Sequence, residues 1–124
     1  MFYNKVTLVG RLTKDPQVNE YEENKKRGFF TLAVDRGYKT ADGKKSTDFI
    51  SVIAWNKLAD VCDEFLKKGN LILVDGQIHT REYKKDGESQ YVTEIVADRI
   101  KFLNPKPEVK NENTSDLPRT ENDY

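Results

Sequence analysis

The chain has 124 residues, and its 21 Lys or Arg balance 21 Asp or Glu. This length suits one domain, and a net charge of zero excludes the strong basicity that identifies a nucleic-acid binder by charge alone. From residue 104 onward, 3 basic residues face 5 acidic ones, and only Val109, Leu117 and Tyr124 are sizeable apolar residues. Such a segment cannot build a core. The sequence therefore predicts a folded domain at 1–103 and a disordered, net acidic tail at 104–124.

Cysteine content and hydropathy predict the compartment. Cys62 is the single cysteine, so neither an internal disulfide nor a cysteine metal cluster can form. The first residues lack the apolar run of a signal peptide, and no segment is long and apolar enough to span a bilayer. We expect a cytoplasmic protein that does not enter a membrane.

Period-two alternation of apolar and polar residues predicts five main strands. They cover residues 4–12, 29–34, 49–55, 70–83 and 89–103, with a weaker strand near 17–21. Residues 37–46 read as a solvated loop with turn chemistry, and 85–88 as a hairpin turn. Gly76, inside the fourth main strand, predicts a bulge or a sharp bend.

Between the third and fourth main strands the period becomes helical. The apolar residues at this spacing are Leu58, Val61, Cys62, Phe65 and Leu66. Asn56 is placed to cap the start of the helix, and Gly69 is placed to end it. Five main strands with one helix in this position predict an all-β, five-stranded oligonucleotide-binding barrel.

Four aromatic residues fall away from the buried side of their elements. Phe49 and Trp55 share the outer side of one strand, Tyr83 closes the next main strand, and Tyr38 begins the long loop. Each nucleobase that stacks on an aromatic ring contributes about 1–3 kcal/mol, whatever its identity. The four rings are therefore candidates for stacking against bases.

Basic residues lie among or beside these rings, where they can neutralise phosphates. They are Lys39, Lys44, Lys45, Lys57, Arg81, Lys84 and Lys85. An alternative fits the spacing equally well: Phe49 and Trp55 fill a subunit interface or a second apolar cluster, and the lysines only solvate loops.

A series of short motifs runs in order through residues 3–103. They are Asn4-Lys5-Val6, Leu8-Val9-Gly10-Arg11-Leu12, Asp15-Pro16, Phe30-Thr31-Leu32-Ala33-Val34, Thr47-Asp48-Phe49, Lys57-Leu58-Ala59-Asp60, Glu64-Phe65-Leu66-Lys67-Lys68-Gly69, Gly76-Gln77-Ile78 and Thr80-Arg81 leading to Tyr83. Each motif is weak, but their order and spacing are specific. Together they resemble the bacterial single-stranded DNA-binding protein family.

This resemblance implies sequence-independent binding of single-stranded DNA in replication, recombination and repair. It implies base stacking on Tyr38, Phe49, Trp55 and Tyr83. It implies phosphate contacts by Lys5, Lys57, Lys68 and Arg81. Lys39, Lys44 and Lys84 are further candidates because they lie beside the aromatic residues in the sequence. It also implies a homotetramer, with a dimer as the smaller possibility, in which subunits pair partly through the first strand.

The chain departs from this family in three places. His79 stands where the family often has a basic residue, and Lys25-Lys26-Arg27 replaces a small apolar hairpin. The family usually ends in acids, Ile or Leu, Pro and a terminal Phe, a peptide that recruits replication and repair proteins. The matching residues here are Asp116, Leu117 and Pro118, or Asp123 and Tyr124 at the end. Either the peptide lies further inward, or Asp123 and Tyr124 partly substitute for it.

No catalytic constellation, metal site or cofactor motif is predicted, so we expect a binding protein. Cys62 and His79 are the one candidate nucleophile and base, and Cys62 on an apolar helix face reads as core. Residues 42–46 resemble a phosphate-binding loop, but the glycine spacing and the following strand are wrong for one. An RNA-binding barrel and a protein-interaction module remain as alternatives.

Overall fold

A computed structural model describes residues 1–104. Its elements, in chain order, are β1 (Val6–Leu12), β2 (Gln17–Glu22), β3 (Lys25–Lys39), β4 (Lys45–Trp55), α1 (Lys57–Phe65), β5 (Leu71–Lys85) and β6 (Glu88–Phe102). Within the residues that the structure describes, no helix has the length and apolar content needed to cross a bilayer. The predicted tail lies outside the described residues from 105 onward, so the domain boundary stays a prediction.

The strands form one sheet that closes on itself. The order is β1-β5-β6-β4-β3-β2, and β1 pairs in addition with β3. Closure is made at two register pairs, Arg11 with Ala33 and Leu12 with Leu32. The predicted all-β barrel is confirmed, with α1 as the connection between β4 and β5. The weak strand near 17–21 is the sixth strand, β2, paired with β3.

The core fills the inside of this barrel. The side chains of Leu32, Val52, Ile72, Val74 and Ile100 are fully buried, each contributing about 1.5–3 kcal/mol of transfer free energy. The helix adds its own apolar side to the same cluster of buried residues. Because side chains alternate along a strand, the residues between these positions face outward.

Asn56 is the N-cap residue of α1, as predicted, but its side chain does not cap the helix, and the predicted helix end at Gly69 is wrong. Asn56 makes no side-chain bond to the helix. The side-chain oxygen Oδ1 of Asn56 accepts a hydrogen bond from the backbone amide of Lys26 at 3.1 Å. The backbone amide of Asn56 donates to the backbone carbonyl of Lys26 at 2.8 Å. The Asn56 side chain is therefore hydrogen-bonded to β3, which runs beside the end of β4. The helix ends at Phe65, and Gly69 lies in the following turn with φ 88°.

The predicted long loop at 37–46 is also wrong. β3 continues to Lys39 and β4 begins at Lys45, so only 40–44 is left as a turn. A polar pair between the strands stabilises the extension, since Arg36 donates from Nε and Nη2 to the Asp48 carboxylate at 3.0 and 2.7 Å. These hydrogen bonds hold the pKa of Asp48 below its usual range.

The predicted irregularity at Gly76 is confirmed. Asp75 pairs with Arg99 but Gly76 pairs with Ala97, so β6 carries one extra residue at this point. A methyl group on Gly76 would overlap the carbonyl oxygen of Val96. Glycine is required here because the two backbones approach too closely for any side chain.

We expect Gly76→Ala to destabilise the fold by about 1–3 kcal/mol, the usual cost of overpacking. Urea denaturation measures the loss. Glu82→Ala, an exposed position further along β5, serves as control and should stay within about 0.5 kcal/mol. Equal unfolding midpoints for both variants would show that the bulge is not crowded.

Candidate nucleic-acid interface

The four predicted rings are all exposed. On β4, Val52 and Ala54 are buried, whereas Phe49 is 68% exposed and Trp55 is 40% exposed. Tyr83 near the end of β5 and Tyr38 near the end of β3 are exposed as well. Strand alternation therefore gives this chain aromatic surface on the outside of the barrel, as the sequence predicts.

A groove lies beside Trp55 on the outer side of the barrel. Its volume is about 440 Å³, and its lining includes Arg27, Ile53, Trp55, His79, Arg81 and Glu94. We call it the Trp55 groove. It forms because β4, β5 and β6 are neighbours there. His79 and Glu94 are register partners, and Arg81 lies two residues further along β5 on the same side. Ile53 closes the floor and is 2% exposed, although it shares a strand face with Phe49 and Trp55.

Arg81 does not stand free in this groove. It donates from Nε and Nη2 to the two carboxylate oxygens of Glu94, both at 3.1 Å. Nη2 of Arg27 approaches the same carboxylate at 3.9 Å. The hydrogen bonds and charge of Glu94 raise the pKa of Arg81, so the guanidinium stays charged. The structure thus places a predicted phosphate contact in an ion pair.

Sequence reasoning missed Glu94, Arg27 and Tyr21. Glu94 is one of many scattered acids, and nothing in its neighbours along the chain marks it as buried. Tyr21 belongs to the strand that the sequence predicts only weakly. Its ring meets Trp55 edge-on, with centroids 6.0 Å apart and planes at 80°. This contact restricts how the indole can turn.

Other predicted residues gather around the turn between β3 and β4. Tyr38, Lys39 and Lys45 line a shallow cavity of about 180 Å³, and Lys44 lies exposed in the turn itself. Lys45 is also 3.8 Å from the carboxylate of Asp35. This end of the two strands is therefore a second place where a ring and cations occur together.

The remaining predicted lysines are distributed unevenly. Lys57 lines a second groove, of about 580 Å³, whose lining also includes Trp55. Lys84 lies on the exposed outer part of β5. Lys5 approaches Asp75 at 3.8 Å, and Lys68, whose amide donates to Asp15 at 2.8 Å, follows α1. Neither Lys5 nor Lys68 lines either groove beside Trp55.

The one candidate nucleophile and base are not brought together. Cys62 is buried in the core, and burial raises the pKa of its thiol to about 12. His79 lies on the outer surface, with Nε2 3.3 Å from Gln77 Oε1. Among residues 1–104, no group of three His, Cys, Asp or Glu is arranged to hold a metal ion.

Comparison with known proteins gives consistent results. Residues 3–103 match the single-strand binding protein family. The chain is 47% identical to a single-stranded DNA-binding protein of Caldanaerobacter subterraneus subsp. tengcongensis, over 83% of this chain and 69% of that one. It is 43% identical to single-stranded DNA-binding protein 3 of Listeria innocua, over 98% and 76%. A solved complex of Plasmodium falciparum SSB with single-stranded DNA superimposes with a TM-score of 0.75 at 25% identity, covering 84% of this chain and 97% of that one.

Proposed function

Because the chain belongs to the single-strand binding protein family, we propose that it binds single-stranded DNA without sequence preference. Its role is to protect the strand during replication, recombination and repair. The observation that carries this proposal is the pair of exposed rings on β4, Phe49 and Trp55, on a strand whose other side is core. An apolar ring kept in water is surface available for a base, and Trp55 in addition borders a groove.

The DNA path follows the rings. Bases stack on Phe49, Trp55 and Tyr83 across the outside of β4 and β5, and Tyr38 adds a ring at the end of β3. Each stacked base contributes about 1–3 kcal/mol. Phosphates meet the cations that border these rings, which are Lys39, Lys44, Lys45, Lys57, Arg81, Lys84 and Lys85. In this proposal Lys5 and Lys68 contact the strand outside the Trp55 groove.

Subunit pairing is proposed through β1. One edge of β1 pairs with β5 from Val6 to Arg11. The other edge pairs, among the described residues, with β3 only at Arg11 and Leu12. The free part of that edge presents unpaired backbone groups to a second copy. Val9 is exposed on the same strand. We propose a homotetramer built from such pairs, with a dimer as the smaller possible assembly.

We expect saturating oligothymidylate at low salt to quench the fluorescence of Trp55, the single indole of the chain. The logarithm of affinity should fall with the logarithm of salt concentration by about 0.7 per neutralised phosphate. Titration with oligouridylate and duplex DNA tests the RNA-binding alternative. Light scattering on the same sample gives the subunit number. An unchanged indole signal would contradict the proposal and favour a protein-interaction module.

Tyr83 and Tyr91 form a matched pair on the β5–β6 hairpin. Tyr83 pairs with Gln90 and Glu82 pairs with Tyr91, so the two exposed rings lie on opposite faces. We expect Tyr83→Ala to weaken binding of oligothymidylate by about 1–3 kcal/mol and Tyr91→Ala to leave it unchanged. Equal losses in both variants would show that Tyr83 acts through the hairpin's stability and not as a stacking surface.

Recruitment of replication and repair proteins is proposed for the tail. Its candidate residues, Asp116, Leu117, Pro118, Asp123 and Tyr124, lie outside the described residues, so this role stays a prediction. We also propose that the protein works in the cytoplasm, where the DNA of a bacterium or an infecting phage lies.

Removing residues 105–124 deletes 5 acidic and 3 basic residues. Because a net negative segment competes with DNA for the same cations, we expect the truncated chain to bind oligothymidylate as tightly as the full chain or slightly more tightly. Fluorescence titration of both proteins at one salt concentration measures the difference. A marked loss of affinity on truncation would show that the tail contributes to DNA binding.

A further inference from the structure

Glu94 is a buried carboxylate on the proposed DNA-binding side of the barrel. It is 6% exposed, and it lies in the lining of the Trp55 groove. A surface that binds a polyanion gains nothing from a negative charge as such. Burying a carboxylate is also costly unless it is paired and hydrogen-bonded. The position of Glu94 therefore requires a reason other than solubility or core packing.

The contacts of Glu94 supply that reason. Both carboxylate oxygens accept hydrogen bonds from Arg81 on β5, and Arg27 on β3 approaches one of them. Arg27 is the register partner of Trp55. One buried side chain on β6 thus ties two guanidinium groups from two other strands to the place where the indole is exposed.

The pairing leaves Arg81 able to bind a further anion. A guanidinium has five N–H donors in a fixed plane, and two of the five point to Glu94, which leaves three. The Arg81 side chain is 52% exposed, so its remaining donors are accessible. The two hydrogen bonds to the Glu94 carboxylate fix the orientation of the Arg81 guanidinium plane. Without them the guanidinium would rotate on its long, flexible side chain.

We propose that Glu94 is a positioning residue that sets the guanidinium groups of Arg81 and Arg27 beside Trp55, so that they meet the phosphate of the base stacked there. This inference rests on the proposed function and assigns the residue that organises its site. The cluster of two arginines and one glutamate has a net charge of +1. Removing the carboxylate would raise that charge but release the two arginines.

The two possible roles of Glu94 predict changes of opposite sign. If the acid acts only through its charge, Glu94→Gln should bind DNA more tightly, because it removes a repulsion. If Glu94 positions the arginines, the same variant should bind less tightly despite the added positive charge. The direction of the change therefore separates the two roles.

The experiment compares Glu94→Gln and Glu82→Gln in the full chain by titration with oligothymidylate at two salt concentrations, with Trp55 fluorescence as the signal. Glu82→Gln removes the same charge from the opposite face of β5. We expect Glu94→Gln to weaken binding about tenfold, a coupling typical of hydrogen-bonded charged groups, and Glu82→Gln to bind equally or slightly more tightly. Equal or tighter binding by Glu94→Gln overturns the proposal.

A second pair of variants shows whether Glu94 acts through Arg81. Arg81→Lys keeps the charge but loses the planar fork. We expect it to weaken binding, and we expect Glu94→Gln to add little further loss in the Arg81→Lys background. Full additivity of the two losses overturns the proposal. If thermal unfolding shows that Glu94→Gln does not fold, Glu94→Asp replaces it, since the shorter side chain keeps the charge but loses the two hydrogen bonds to Arg81; weaker binding supports the positioning role and unchanged affinity overturns it.

Binding by the unaltered chain separates the positioning role of Glu94 from single-strand binding itself. An unaltered chain that does not bind oligothymidylate refutes single-strand binding, and the position of Glu94 then needs another explanation. An unaltered chain that binds, beside a Glu94→Gln variant that binds equally well, refutes only the positioning role.

Discussion

β4 pairs with β3 along one edge and with β6 along the other, and its alternate side chains Val52 and Ala54 are buried in the core. This double pairing determines the direction of every side chain on the strand. Because one face of β4 packs in the core, Phe49 and Trp55 on the other face point outward. A slip of one residue would exchange core and surface along the whole strand. The aromatic surface is thus a consequence of how the core is filled.

Electrostatics here depends on placement and not on total charge. The chain is neutral overall, so its total charge supplies no attraction for DNA. Cations are instead placed beside rings: Arg81 and Arg27 in the Trp55 groove, Lys57 next to Trp55, and Lys39 next to Tyr38. Arg81 and Arg27 share one acidic neighbour, Glu94. Such a surface attracts DNA weakly at long range, but its cations have defined positions relative to the rings at contact.

The two ends of the proposed binding surface differ in how they are held. At the Trp55 end, the indole is bordered by the Tyr21 ring and by the Glu94 ion pairs, and its strand is paired on both edges. At the Tyr38 end, β3 and β4 pair, among residues 1–104, only with each other beyond a register shift after Asp35, with the Arg36–Asp48 ion pair as support. The first end is therefore held by more contacts between side chains of different strands than the second end.

Local pattern alone determined that the main strands and the helix exist, their order, the barrel class and the outward direction of Phe49 and Trp55, because period and turn chemistry are properties of neighbouring residues. The bulge at Gly76 was also predictable from one glycine in a strand. Only the tertiary structure decided the contacts between distant residues. It directed the side chain of the N-cap residue Asn56 to the Lys26 amide, extended two strands into the predicted loop, and paired Arg81 with a buried Glu94. Those pairs depend on which strands become neighbours when the barrel closes, and no local feature of the sequence records that.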